Sequence, residues 1–541
     1  MDDFIKDRCD CYEVLTGEKK APEPSIICFK NARIGCNMLY KHIKNKSLTL
    51  IHGDVDCDGI GSAYIVYRFM KEFVSKNRLG TCINKHKIHG IGNNHIDFFN
   101  KTGAELVIIV DSGTNDIEYI KKLNCDVLVV DHHEILNNGL HGKTVGGEYI
   151  IVNNNIDNDD FEFDKYTADD RMSGALVLYE MLRLYQHMFK VGDILKGKML
   201  YQWVGLTLFT DSVNTLTLRN QYYLDLTVHN MDTEYNLKRI MSSISSYQSS
   251  LDKSFIQYQI GPTFNRAIRA GYGGMALDDA IRTPEKAVEL RRFQDVQNII
   301  ASTAYENVIE YNQYAMKELI GDLVRPELMK KADTRTINTI KSIQDTGMSK
   351  NYCGLMANKI LGKLNKSTVV FIMNGDYAEG SFRGKYSSID YRKFFDDWGT
   401  DVFAQGHKSA FGFKAKIDEL PSILLNATNM ESQYDTKEYL TAGRLIDSYK
   451  GKHHIDDFDT FKKEGLLWRL AIANSKLSTE DSINIVVPTD ELKPPESKGK
   501  AFIYKAFGFE CLAFEEIVTP LAEIYVEYAK EIKFYIRNKW R

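Results

Sequence analysis

The chain predicts an α/β fold built on a parallel sheet, and three observations carry that prediction. Between residues 48 and 211, short β-rich runs alternate with longer amphipathic segments, as in a parallel sheet covered by helices. Three of those runs, LTLIHGDVD (48–56), ELVIIVDSG (105–113) and CDVLVVDHH (125–133), set apolar residues ahead of acids or histidines. Ligands in open α/β sheets bind beyond the carboxyl ends of the strands, so such closing residues converge on one crevice. The third observation is length: 541 residues are too many for one hydrophobic core and ask for roughly three or four domains.

In chain order, residues 1–45 form an N-terminal segment and 46–282 the main α/β domain. GSAYIVYRFMKEFV (61–74) is the helix after the first strand. The stretch from Thr283 to about Leu323 has no Gly or Pro between Pro284 and Gly321, and predicts a long helix within a connector over 283–345. Residues 346–430 form a smaller α/β unit, with STVVFIMNG (367–375) as a strand and a glycine-punctuated AQGHKSAFGF (404–413) near its end. The C-terminal extension, 431–541, holds helical and strand-like pieces around the turn-rich PTDELKPPESKGK (488–500) and shows no readable barrel pattern.

Composition narrows the class. Hydrophobic residues at 43% and charged residues at 26% are those of an ordinary globular protein rather than a disordered one. No run approaches the roughly 20 apolar residues needed to span a bilayer, and MDDFIKDRCDCYEV lacks the order of a signal peptide. A cytoplasmic protein without a membrane partner is therefore expected. The nine cysteines read as reduced thiols, because Cys9 and Cys11 have no second pair at zinc-finger spacing. A net charge of -4 means that any phosphate contact comes from local patches. Frequent Lys, Asn, Ile and Tyr beside only 10 prolines point to AT-rich coding, as in a phage or a low-GC bacterium.

Five motifs carry chemistry. In His52-Gly-Asp54-Val-Asp56-Cys-Asp58-Gly59 the acids stand two apart, a spacing that shares a strand face. Three such carboxylates repel unless a cation neutralises them, and oxygen-plus-imidazole donors suit manganese or magnesium. A calcium loop does not fit, because the closing Glu is missing. Asp111 closes VIIVDSG and Asp131-His132-His133 closes VLVVDHH. MSGALVLYEML contains Ser173, and Asp211 ends the apolar run VGLTLFTDSV.

In this order the motifs resemble the DHH phosphoesterase superfamily, over about 160 residues from HGDVDCDG to TDSV. The resemblance implies two divalent ions, usually Mn2+, with Mg2+ as the alternative. One would take His52, Asp56 and Asp111, and the other Asp58, Asp111, His132 and Asp211, with Asp111 bridging. It further implies that Asp54, the extra acid of the GDxDxDG variant, counts among the metal ligands, and that His133, with Asp131 and Asp54, serves catalysis near the scissile phosphate.

Two more segments resemble the RecJ-like branch. IGPTFNRAIRAG (260–271) matches its Pro-Arg-Ile-Asn-Ala-Ala-Gly-Arg element at Pro262, Asn265 and Arg269, with Thr263 and Ile268 as departures. Ser381, Arg383, Gly406 and His407 match the DHH-associated domain, with Gln405 in place of a glycine. The implied substrate-binding residues are Ser173, Asn265, Arg269, Ser381, Arg383, Gly406 and His407. Tyr386, Tyr391, Arg392, Phe394 and Phe395 offer surfaces for bases, although Phe394 and Phe395 also suit a core. The implied activity is 5' to 3' hydrolysis of single-stranded nucleic acid, DNA above RNA, in repair or recombination. The alternatives are a phosphodiesterase of oligoribonucleotides or cyclic dinucleotides, and a noncatalytic replication scaffold.

Overall fold

The computed structural model describes residue 14; residues 19–269 apart from 85–88, 137–138, 160–165, 170, 212, 214, 216, 229–231 and 245–250; and, with shorter interruptions, 337–340, 353–424, 471 and 485–539. Two compact units emerge, one of residues 1–292 with 440–539 and one of 293–439 with the last two residues.

The first unit is built on a six-stranded sheet. Its strands are β1 (Thr49–Gly53), β2 (Leu79–Ile83), β3 (Leu106–Val110), β4 (Asp126–Asp131), β5 (His141–Lys143) and β6 (Glu148–Asn153), in the order β2-β1-β3-β4-β6-β5. All neighbours pair in parallel except β5, an antiparallel edge on β6. The central strands read as continuous apolar runs because both faces are covered. In β3, Leu106, Ile108 and Val110 face a core shared with helices Ala32–Asn45, Cys57–Met70, Gly174–Phe189 and Tyr201–Thr210. Val107 and Ile109 face a second core with Ile96 and Phe99 of helix Asn93–Thr102. Each such side chain contributes about 1.5–3 kcal/mol when fully buried.

The first helix begins at Cys57 rather than 61, because Asp56 caps it. The long helix expected from Thr283 to Leu323 lies outside the described residues.

Unit two contains a five-stranded sheet, β10-β11-β9-β8-β7, of Ile337–Ile340 (β7), Ser367–Asn374 (β8), Tyr377–Arg383 (β9), Phe403–His407 (β10) and Ala410–Lys416 (β11). Residues 337–340, expected within a helical connector, instead pair in parallel with β8.

Near the C-terminus, six strands follow the order β12-β16-β17-β15-β14-β13. They are Ile485–Pro488 (β12), Lys493–Lys498 (β13), Ala501–Ala506 (β14), Phe509–Ala513 (β15), Leu521–Tyr528 (β16) and Ile532–Lys539 (β17). The two edge strands, β12 and β13, are consecutive in the chain and separated only by residues 489–492. Their pairing with opposite ends of the sheet brings its edges together. Counted as one interrupted strand, they close a five-stranded barrel of the OB-fold kind. This corrects the reading of 488–500 as turns: Pro494 and Pro495 sit at a register shift in an outer strand, where a missing N–H is tolerated.

Candidate metal centre

β1 stops at Gly53, and the chain turns at once into a helix. Asp56 is the N-cap: its Oδ1 accepts from the amides of Asp58 and Gly59, each at 3.0 Å. Such a cap contributes about 1 kcal/mol. Asp54, Asp56 and Asp58 therefore do not alternate along a strand, as their spacing predicts. They line a turn folded so tightly that a Cβ on Gly59 would lie 2.4 Å from the Asp54 backbone.

Asp58 is 2% exposed and is held by the start of another helix. The amides of Gly174 and Ala175 donate to its two oxygens at 2.6 and 3.1 Å. Helix N-termini favour anions in this way. Only glycine fits at 174, because a Cβ there would lie 2.4 Å from Asp111 Oδ1. Asp111 itself follows β3 with a left-handed φ of 62°, which turns its carboxylate back over the strand ends.

His132 Nδ1 donates to the Met172 carbonyl at 2.8 Å. This fixes the tautomer and leaves Nε2 with a lone pair. Nε2 lies 3.2 Å from Asp111 Oδ1 and 3.7 Å from Asp211 Oδ2. Asp211 follows the last residue of helix Tyr201–Thr210.

Asp131 is 1% exposed and accepts from the amides of Thr114, His132 and His133. It also accepts from His133 Nδ1 at 2.8 Å. Asp131 is thus an orienting residue for His133. Asparagines at the end of β6 and just past it strap this loop: Asn155 Nδ2 donates to the His132 carbonyl and Asn153 Nδ2 to that of His133. The sequence reading missed both, although the run VNNN closes a strand as the other motifs do.

Also missed was His89, whose Nδ1 lies 2.5 Å from Asp54 Oδ2 while the Gly90 amide donates to Asp54 Oδ1 at 3.1 Å. His52 is fully buried on β1, its Nδ1 3.6 Å from Cys82 Sγ and its Nε2 without a hydrogen-bond partner.

The electrostatics are those of a site that lacks positive charge. Burial, then Asp56, push Asp58 up to about 7. Asp111 and Asp211 stand well above the usual carboxylate range, through burial and then Asp58 and Asp56. Burial and then His95 bring His52 down to about 4. Burial would lower His133, but Asp131 and then Asp54 and Asp211 hold it up at about 10. Burial would likewise raise Asp131, yet His133 holds it well below its ordinary value.

Among the described residues, three groups have donor atoms within 4.8 Å of one another: Asp58 with His132 and Asp211, Asp111 with His132 and His133, and Asp54 with Asp56 and His89. His52, Asp56 and Asp111, expected to share one ion, are not gathered as a group, and Asp56 Oδ1 is turned onto the helix amides. His52 Nε2, Asp111 Oδ1 and Asp211 Oδ2 are buried without hydrogen-bond partners. Orphaned oxygens and imidazole nitrogens at closely packed acids fit hard divalent cations.

Ser173, expected at the substrate, is fully buried. Its Oγ caps its helix through the Leu176 amide and lies 2.9 Å from Thr207 Oγ1. Asn265, on helix Gly261–Arg269, has a buried Oδ1 with no hydrogen-bond partner, whereas the Arg269 side chain lies outside the described residues. In unit two, Ser381 and Arg383 lie on β9 and Gly406 and His407 on exposed β10. Tyr391 and Phe395 are fully buried and Phe394 packs against the same core, so these rings are not base platforms. Tyr386 lies outside the described residues.

Residues 48–202 match the DHH family, N-terminal domain. The chain is 25% identical over 409 residues to the putative SPbeta prophage-derived single-strand DNA-specific exonuclease YorK of Bacillus subtilis, covering 72% of this chain and 66% of YorK. It is 19% identical over 444 residues to the single-stranded-DNA-specific exonuclease RecJ of the same organism, covering 79% of this chain and 51% of RecJ. The chain thus spans about half to two thirds of these curated relatives. Among solved structures, RecJ of Thermus thermophilus in complex with Mn2+ superposes with a TM-score of 0.62 at 14% identity, over 96% of this chain and 73% of that one. A second RecJ structure, bound to manganese, gives 0.53 at 16% identity, over 76% of this chain and 96% of that one. The sheet that gathers the acids and histidines thus lies within the segment that matches the DHH family, N-terminal domain, and the chain has the fold of RecJ.

Proposed function

We propose that the chain is a divalent-metal-dependent exonuclease that hydrolyses single-stranded DNA in the 5' to 3' direction. The observation that carries the reading is the convergence of Asp58, Asp111, His132 and Asp211 from four separate segments onto one buried crevice. The curated relatives named as single-strand DNA-specific exonucleases support the substrate class.

Asp58, Asp111, His132 and Asp211 would hold one ion, and Asp111 with His52, Asp56 or the Asp54 group would hold a second, Mn2+ before Mg2+. Bound ions would supply a water acidified from its free pKa of about 15.7 towards neutrality and charge compensation at the scissile phosphate. The chain's own residues do the rest. The Met172 carbonyl keeps the His132 proton on Nδ1. Asp131 orients His133 and holds its proton, so the imidazolium donates a hydrogen bond to a phosphate or leaving oxygen.

Arg383 and His407 in the 346–430 domain bind backbone phosphates, and the C-terminal barrel adds a groove for the strand, as OB-folds do. Residues 46–282 are the catalytic domain in this scheme. No helix among the described residues is long and apolar enough to cross a membrane, and the enzyme is assigned to the cytoplasm.

The test is a manganese-dependent assay on three substrates: a 5'-phosphorylated single strand labelled at its 3' end, the matching duplex, and cyclic di-AMP. Stepwise shortening of the single strand alone is expected. Preferential turnover of cyclic di-AMP would replace the reading with a small-substrate phosphodiesterase, and rapid cutting of a circular single strand would replace it with an endonuclease.

A further inference from the structure

The sheet of unit two has one face packed by aromatic rings; the other is covered at Thr368 and Val370 of β8, where Gly354 lies beside Arg383, and exposed towards the β10 edge, and the register states which residues share each. Opposite residues in antiparallel strands point the same way, and so do residues two apart. Phe382, Phe411 and Phe413 fill the packed face. On the other face, His407 stands opposite Ala410, which stands opposite Arg383. The next rung is Gln405, Gly412 and Ser381; the one after is Phe403, Lys414 and Glu379.

Ala410 and Gly412 leave a shallow floor between Arg383 with Ser381 on one side and His407 with Gln405 on the other. At one end of that floor stands Phe403, a phenyl ring 57% exposed in an edge strand. Lys414 lies directly across from it, its Nζ 4.6 Å from the Tyr377 ring centroid and 3.5 Å from Glu379 Oε1.

An exposed phenyl ring is not explained by packing, because the buried rings of this sheet lie on the other face. Its surroundings select a partner that is both flat and anionic: Arg383 and His407 stand at one end of the face and Lys414 and Lys416 at the other, with Glu379 as the acid in the described β9–β11 rungs. A single nucleic-acid strand meets both demands, since every base has a π-face and every linkage a charge. From His407 to Phe403 is four residues of strand, about 13 Å, which an extended strand covers within a few nucleotides.

We propose that Phe403 is a base-stacking residue that clamps a nucleotide of the single strand a few positions from the phosphate held by Arg383 and His407. The proposal rests on the single-strand reading above and adds to it a specific platform. The stack reads no sequence, so it favours unpaired bases of any identity. It also disfavours a duplex, whose bases present no free face.

The experiment measures affinity of the full chain for a nuclease-resistant single strand and for the same strand made abasic throughout. Phe403→Ala should bind the normal strand about tenfold more weakly than wild type, within the range of base–aromatic stacking, and bind the abasic strand equally well. Phe403→Trp should restore binding of the normal strand, and Phe403→Leu should not. Equal losses on both strands, or rescue by leucine, would overturn stacking in favour of a packing role. Unchanged affinity in Phe403→Ala would overturn it outright. Wild-type protein that binds neither strand would remove the proposed function and this platform together, whereas a wild type that degrades single strands with an inert Phe403 removes the platform alone.

Discussion

His89 Nδ1 and Asp54 Oδ2 stand 2.5 Å apart, and the pair repeats the relationship between His133 Nδ1 and Asp131 Oδ1 at 2.8 Å. In each, a buried carboxylate at or just past a strand end holds a partly exposed imidazole. Two such dyads flank the acids gathered at the carboxyl ends of β1, β3 and β4.

The His89 dyad yields the first prediction. His89→Ala leaves the buried Asp54 with the Gly90 amide and no imidazole, and should raise the metal concentration needed for half-maximal activity by about 10- to 100-fold. His89→Asn, which keeps a donor near the position of Nδ1, should recover part of the loss. A metal titration of the three proteins checks this, and an unchanged midpoint in His89→Ala would contradict it.

Asp111→Asn should abolish hydrolysis while the fold survives. Asparagine tolerates the left-handed φ that Asp111 adopts, so the change removes charge without adding backbone strain. Circular dichroism should stay native while metal content falls. Near-normal turnover with full metal content would show that Asp111 bridges nothing.

Gly174→Ala removes no functional group, yet its new Cβ would meet Asp111 Oδ1 at 2.4 Å. Either the Asp111 carboxylate or the amide that grips Asp58 must move. A displacement of about 1 Å in a catalytic site costs roughly a hundredfold. Steady-state kinetics should record that loss with little change in single-strand affinity.

Chemistry and grip should separate between the two units. His133→Ala should lower kcat by about a hundredfold or more and leave single-strand binding nearly intact. Arg383→Ala should weaken binding roughly tenfold and spare kcat. Equal effects of both substitutions on both parameters would erase the distinction.

The metal-free protein should lose stability as pH rises from 6.5 to 8. Asp58, raised to about 7, and the higher Asp111 and Asp211 bind protons in the folded state that the unfolded chain has released. His133, raised to about 10, acts in the same direction, because its contribution is full below pH 6.5 and fades above. His52, lowered to about 4, acts oppositely but only below pH 6.5. A divalent ion replaces those protons, so the gain in Tm on adding Mn2+ should grow over the same window. Thermal melts with and without Mn2+ at three pH values test both signs.

Much of the site was legible because strand-end residues announce themselves. VIIVDSG and VLVVDHH are apolar runs closed by polar groups, and a buried parallel strand leaves those groups one place to go. What the sequence hid was donated by the backbone or by loops without a pattern. Asp58 is held by amides of Gly174 and Ala175 that no side chain marks, and Asp56 was read on a strand that ends three residues earlier. His89 follows a stretch with no strand or helix periodicity. The barrel escaped because its first strand is broken in two and carries adjacent prolines, a composition that reads as turn.

The crevice draws on residues from His52 to Asp211, and β1, β3 and β4 are separated in the chain by helices and by β2. The full donor set comes together only across these non-local pairings, so tight cation binding should arrive late in folding. During synthesis the nascent chain would stay inert until Asp211 has left the ribosome and docked. The order in which the protein assembles would thereby keep the metal centre empty until the chain is nearly whole around it.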